Sequence, residues 1–208
     1  EFLKGVNTVH KELIIAGGAA ADYGRFSRTL IALNGQVFYK GVVGVAFDNV
    51  SLHVLNHWKL NWNPIGKPMT VTKAENNTIF ELDEKPIFDV ISHYFGSEIV
   101  ASLPSSLVKF PLIKTENGVH IARAPIAVTE NALVFAGNFT MGDKVRFSIA
   151  NIDAIFENDD SKLLQKPEVL WIYSCMGRKA FAGKILESEF QISNHLDTTC
   201  GFLAMANF

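Results

Sequence analysis

The sequence predicts an α+β fold: largely antiparallel β-sheets covered by helices, in two halves of similar style that share a core. Three observations carry this. Asn34-Gly35 stands between the runs Arg28–Leu33 and Val37–Phe47, the strongest short-range signal for a two-residue hairpin. Asn76-Asn77 stands between Thr70–Thr72 and Thr78–Leu82, where β-branched and aromatic residues face each other across a turn-forming pair. The period then changes from two to 3.6, since Ile87, Val90, Ile91 and Tyr94 recur at i, i+3, i+4 and i+7.

In chain order, Glu12–Ala20, Arg28–Leu33, Val37–Phe47 and Val50–Trp58 read as strands, followed by the Asn76-Asn77 hairpin. The helix comes next, with Asp83 as its expected cap, Pro86 near its first position and Gly96 as its stop. Residues 97–111 mix Pro104, Ser105, Ser106 and Pro111, which places a boundary between halves 1–97 and 98–208. In the second half, Val119–Val128, Ala132–Phe135 and Lys144–Ala150 read as strands, separated by Glu130-Asn131 and Met141-Gly142-Asp143. Ile152, Ile155, Phe156 and Leu163 fit one helix face that must end before Pro167. Val169–Ser174 has the composition of a buried strand, Gly177–Phe190 that of a helix with Phe181, Ile185 and Leu186 inward, and Gly201–Phe208 that of a closing strand.

Composition bounds the function. At 208 residues with 48% hydrophobic and 19% charged residues, the chain has ample apolar surface to offset chain entropy, which excludes disorder. Nineteen basic residues against 21 acidic give a net charge of −2, with no Lys/Arg cluster to neutralise a row of phosphates, so nucleic acid is not an expected partner. Apolar stretches such as Leu13–Ala21, Gly41–Phe47 and Asn131–Gly142 fall short of the about 20 residues that cross a bilayer, so no membrane insertion is expected. Cys175 and Cys200 are too few for a disulfide framework and form no CxxC, which points to a reducing cytoplasm. The chain opens at Glu1 and soon enters the apolar Leu13–Ala20, as expected of a piece of a longer protein.

Several residues could carry chemistry. Gly17-Gly18-Ala19-Ala20-Ala21-Asp22 ends an apolar run with small residues but lacks both phosphate-loop patterns, so close backbone packing competes with a small-molecule pocket there. His53 and His57, four apart, share a face in strand or helix and make metal or haem ligation conceivable, although no third ligand stands nearby. Ser174-Cys175-Met176-Gly177-Arg178 falls where a buried strand turns into a helix, a setting that lowers a thiol pKa. Catalysis by Cys175 would need a base that nothing local supplies. Arg178 at that turn could clamp a carboxylate bidentately or remain a solvated surface residue. Trp58 and Trp62, around Asn61 and Asn63, suit either core packing or a ligand lid.

Val45-Ala46-Phe47, Asn63-Pro64-Ile65-Gly66-Lys67-Pro68, Thr70-Val71-Thr72-Lys73-Ala74-Glu75-Asn76-Asn77 and Glu81-Leu82-Asp83 with Lys85-Pro86 together resemble the FIST (F-box and intracellular signal transduction) family of sensory domains. Gly17-Gly18-Ala19-Ala20 and Lys40–Val45 are similar to the end of its N-terminal part. Phe110-Pro111-Leu112, Leu133–Gly137, Tyr173–Arg178 and Cys200-Gly201-Phe202 are similar to its C-terminal part. The resemblance implies that 1–97 is the later portion of the N-terminal part and 98–208 the C-terminal part. It implies a cytoplasmic sensor module of a prokaryotic signalling protein that binds a small ligand such as an amino acid and is joined to an output domain in a longer chain. Some members bind haem and respond to nitric oxide, which makes haem on His57 the alternative cofactor and a Cys175-dependent enzyme the second alternative. The family's closing strand ends in an acidic residue where this chain has Asn207, so a pocket using that carboxylate to hold an ammonium group would be altered. The expected ligand-binding set is Ser174, Cys175, Gly177, Arg178, Trp62 and Asn207, with no catalytic residue, no metal and no resident cofactor. A homodimer is a further expectation, from an apolar face left uncovered.

Overall fold

The structure is a computed structural model and describes residues 2–22, 25, 27–56, 60–116, 118–151, 167–178 and 198–204. The chain divides into two compact units, Glu1–Trp58 with Asp159–Phe208, and Lys59–Asn158. The fold class is α+β, with mostly antiparallel sheet and a few helices.

In the first unit, helix α1 (Phe2–Val9) precedes a hairpin of β1 (Ile31–Leu33) and β2 (Gln36–Phe38). Its turn is the expected Asn34-Gly35, both at positive φ (52° and 78°), as the two-residue type I′ geometry requires. The strands expected at Glu12–Ala20 and Val50–Trp58, and the later part of Val37–Phe47, do not form over the described residues, where Gly18 makes an isolated β-bridge and no continuous ladder develops. Apolar composition alone cannot make a strand, because a pleated ribbon is stabilised by its neighbours.

The second unit carries, among the described residues, a nine-stranded sheet. Its strands are β3 (Trp62–Pro64), β4 (Met69–Glu75), β5 (Thr78–Leu82), β6 (Lys85–Pro86), β7 (Leu112–Glu116), β8 (Val119–Arg123), β9 (Pro125–Val128), β10 (Leu133–Phe135) and β11 (Lys144–Ala150). The main path runs β8-β7-β11-β4-β5-β10-β9, with β3 on β11 and β6 on β5, and every pairing is antiparallel. The β4–β5 turn is the expected Asn76-Asn77, with Asn76 at φ 53°, a region Asn tolerates. Asp83 and Glu84, at φ 49° and 62°, turn β5 into β6. Asp83 therefore does not cap the helix; its carboxylate accepts the Thr70 N–H at 2.7 Å and pairs with Lys67 at 3.5 Å.

The run expected as one strand, Val119–Val128, breaks at Ala124. Pro125 has no N–H to donate and restricts the residue before it, and the Ala124 carbonyl turns to accept the Ala136 N–H at 2.9 Å. The outer strands β8 and β9 are thus joined through Ala124 alone, and the sheet curls until its edges share a corner there.

Helix α2 (Ile87–Phe95) begins after Pro86 and ends at Gly96 (φ 87°), whose N–H bonds the Ser92 carbonyl at 2.9 Å. Ile87, Val90 and Ile91 are buried as their spacing predicts, while Tyr94 lies at the rim. Helix α3 (Ser97–Ala101) and a 3₁₀ turn (Ser105–Lys109) follow, Leu107 pointing inward. Val71, Ile79, Leu82, Leu112, Leu133, Phe135 and Val145 close the core against α2. Each such side chain contributes about 1.5–3 kcal/mol by leaving water. Phe95 stacks on Phe110 and meets Phe147 edge-on, at centroid distances of 4.7 and 4.8 Å.

Candidate functional site

Strand β12 (Leu170–Cys175) lies parallel to β13 (Thr199–Ala204) in the first unit, in register from Leu170↔Thr199 to Cys175↔Ala204. This is the expected strand Val169–Ser174, displaced by one residue. Gly201 is required by contact rather than by φ, since a Cβ there would run into the Ile172 carbonyl oxygen. Side chains alternate along β12, so Trp171, Tyr173 and Cys175 share one face and Leu170, Ile172 and Ser174 the other. Trp171 and Tyr173 stack with planes 18° apart and centroids 6.4 Å apart, and Trp171 is half exposed.

The strand ends where the sequence predicts a change of structure, because residues 176–178 are already helical. Four expected site residues are therefore brought to one strand end. Ser174 is buried, and among the described residues its Oγ makes no hydrogen bond. Cys175 is a half-buried thiol. Gly177 passes close to it, since a Cβ on Gly177 would lie 3.6 Å from Cys175 Sγ, an ordinary contact. Arg178 is half-buried; burial pulls its pKa below the ordinary value, and the nearby Cys175 pushes the other way.

The remaining expected residues lie elsewhere. Trp62 is on β3 in the second unit, 8% exposed and opposite Ala150, with Asn61 buried beside it. His57 and Asn207 fall outside the described residues, as do the helices expected from Ile152 to Leu163 and over most of Gly177–Phe190. His53 is exposed in an irregular segment, and no group of three metal-ligating side chains occurs among the described residues. Composition and spacing do not single out two cations of the second unit, the buried Lys114 and the half-buried Arg123. Their signal is faint: Lys114 interrupts the apolar run Leu112-Ile113, and Arg123 ends an alternating strand just before Ala124-Pro125.

The profile of the FIST N domain matches residues 1–85 and that of the FIST C domain matches residues 88–208. The chain belongs to the FIST family. FIST domains are sensor domains of signal transduction proteins, and they typically bind small ligands. The β12 end with Ser174-Cys175-Met176-Gly177-Arg178 lies within the FIST C match. An uncharacterised protein of Methanocaldococcus jannaschii is 27% identical over 202 residues, covering 85% of this chain. The chain spans 38% of that relative's length. No solved structure matches. No helix among the described residues is long and apolar enough to cross a membrane.

The junction between the two FIST matches falls inside the second unit. Strands β3 to β5 come from the N domain and β7 to β11 from the C domain, yet β11 pairs with β3 and β4, and β10 with β5. One sheet therefore holds both domains together.

Proposed function

We propose that this FIST chain is a non-catalytic ligand-sensing module, cytoplasmic and joined to an output domain, that binds an amino acid or similar carboxylate metabolite at the end of β12. The observation that carries the reading is the position of Arg178: half-buried in the helical turn directly after a strand that ends in the buried Ser174 and in Cys175. A guanidinium offers a planar two-pronged fork to a carboxylate, and partial burial strengthens such a bond relative to one in water. Backbone N–H groups at the start of a helical turn point toward the same side as an anion would approach. Ser174 adds a hydroxyl able to donate to a carboxylate oxygen or accept from an ammonium group. Asn207 stands where the family usually has an acidic residue, so a site using that carboxylate to hold an ammonium group would be altered.

A metabolite library screened by thermal shift tests this, because a ligand at about 100 times its dissociation constant stabilises the fold by about 2.7 kcal/mol. The hit should carry a carboxylate, and Arg178→Ala should weaken it at least about tenfold, with Arg178→Lys rescuing only part. A carboxylate hit whose affinity is unchanged in Arg178→Ala would move the site elsewhere. A library with no carboxylate hit would refute the ligand class.

A further inference from the structure

Arg123 is the last residue of β8 and sits opposite Leu112 in the β7–β8 register. Cross-strand partners share a face, and Leu112 is fully buried, so Arg123 leaves the sheet on its core side. There it lies against Gly137, close to where β8 turns into β9. A Cβ on Gly137 would be 2.5 Å from Arg123 Nε and 2.6 Å from Cζ, so a side chain there would displace the guanidinium, and φ +136° is a conformation that favours glycine. The guanidinium thus occupies a seat shaped by a missing side chain.

Arg123 is half-buried. Its Nε is buried without a hydrogen-bond partner, and Arg123 makes no ion pair among the described residues. The carboxylates of this region are engaged by another cation, since Glu116 and Asp143 both pair with Lys114. Burial pulls the Arg123 pKa below the ordinary value, with Glu116 pushing back through its charge alone. A guanidinium N–H withdrawn from water, as Nε is here, is normally matched by an acceptor, because its desolvation is otherwise uncompensated. Asn138, the residue after Gly137, is exposed, and among the described residues its N–H bonds no backbone oxygen.

We infer that Arg123, seated on Gly137, anchors a second small-molecule site in the second unit, one that takes the carboxylate of a monoanionic ligand on its guanidinium with Asn138 as neighbouring donor. A single unmatched positive charge selects a single negative one; a phosphate dianion would call for a further cation, and Lys114 is already paired. Arg178 belongs to the other unit and is not among the residues of this site.

The test is a ¹⁵N NMR titration of the full chain with sodium acetate at constant ionic strength, following the Gly137 and Asn138 amides. A saturable shift is expected with acetate and none with chloride, and Arg123→Gln should weaken it at least about tenfold. Arg178→Ala should leave it intact. Arg123→Lys covers the case in which the Gln variant loses its dispersed spectrum: it keeps the charge but not the fork, and its affinity should also fall. A shift that does not saturate, an equal response to chloride, saturation by inorganic phosphate but not by acetate, or undiminished affinity in the Lys variant would overturn the assignment.

Discussion

Lys114 Nζ lies 2.9 Å from Asp143 Oδ2, and the same carboxylate oxygen accepts the Thr140 N–H at 2.8 Å. Lys114 is 6% exposed, its ammonium 5.8 Å from the centre of the Phe139 ring, and it also pairs with Glu116. Asp143 is at the same time the residue whose carbonyl accepts the Val71 N–H at 2.9 Å. The pair therefore ties β7 to the loop that enters β11, at the point where that loop meets β4.

Removing one member of such a pair leaves the other charge in a poorly solvated place. Lys114→Ala should destabilise the second unit by about 3 kcal/mol, the lower end of the about 3–5 kcal/mol for a buried pair, because Asp143 keeps its Thr140 N–H and some solvent. Urea unfolding followed by hydrogen exchange in β7 and β11 measures it; a loss confined to β12 and β13 would contradict this.

The pH dependence follows from three shifts. Burial pushes the Asp143 carboxyl up, but the Lys114 hydrogen bond, the Thr140 N–H and the Lys114 charge outweigh it, so its pKa falls below the ordinary 3.8. The Thr70 N–H does the same for Asp83, against a smaller opposing effect of burial. Burial pulls Lys114 down, but Glu116 and Asp143 carry it above the ordinary 10.5. The stabilisation from the two carboxylates is complete above their unfolded value and is lost as pH falls through their depressed folded values. That from Lys114 is complete below its unfolded value and is lost as pH rises through the raised folded one. Melting temperature should thus be flat with respect to these groups between about pH 5 and pH 10 and fall on both sides. Asp143→Asn should lower the plateau and make the acid limb shallower, which differential scanning calorimetry would detect.

Residues 88–208 expressed alone should fail to form the second unit's sheet. They lack β4 and β5, which stand in the middle of the path between β11 and β10. A dispersed NMR spectrum with the β7–β8–β11 amides protected to the same degree as in the full chain would count against this.

The first unit exposes several large apolar side chains along one irregular segment, including Val45, Phe47, Val50 and Leu55, with Phe47 72% exposed. Exposed large apolar side chains favour association, and a dimer is the simplest closed assembly. Light scattering should show mass above the monomer that falls with dilution, and Phe47→Asp should shift the equilibrium toward monomer. A monomer at all concentrations would refute it.

How much of this was legible in the sequence depended on whether the cause is local. Asn34-Gly35 and Asn76-Asn77 fix their turns by the φ values they accept, and Lys144–Ala150 alternates cleanly, so these elements stand where their residues place them. The strand end at Ser174–Arg178 was legible for the same reason. Asp83 was misread because the competing donor, the Thr70 N–H, is 13 residues away. The apolar text of Glu12–Ala20 and Gly41–Phe47 resembles strand because composition does not report whether a ladder partner exists. Arg123 was invisible as a site because its meaning comes from Gly137, which the fold brings beside it.

Where the chain enters and leaves the second unit, the two crossings are hydrogen-bonded side by side: β3 pairs with β11, and the Asn151 N–H bonds the Asn61 carbonyl at 2.8 Å. During vectorial synthesis this stem can zip shut once residue 151 clears the ribosome, while the first unit still waits for β12 and β13. The second unit is therefore able to mature as a finished insert before its host, and the segment carrying Arg178 is put in place only after it.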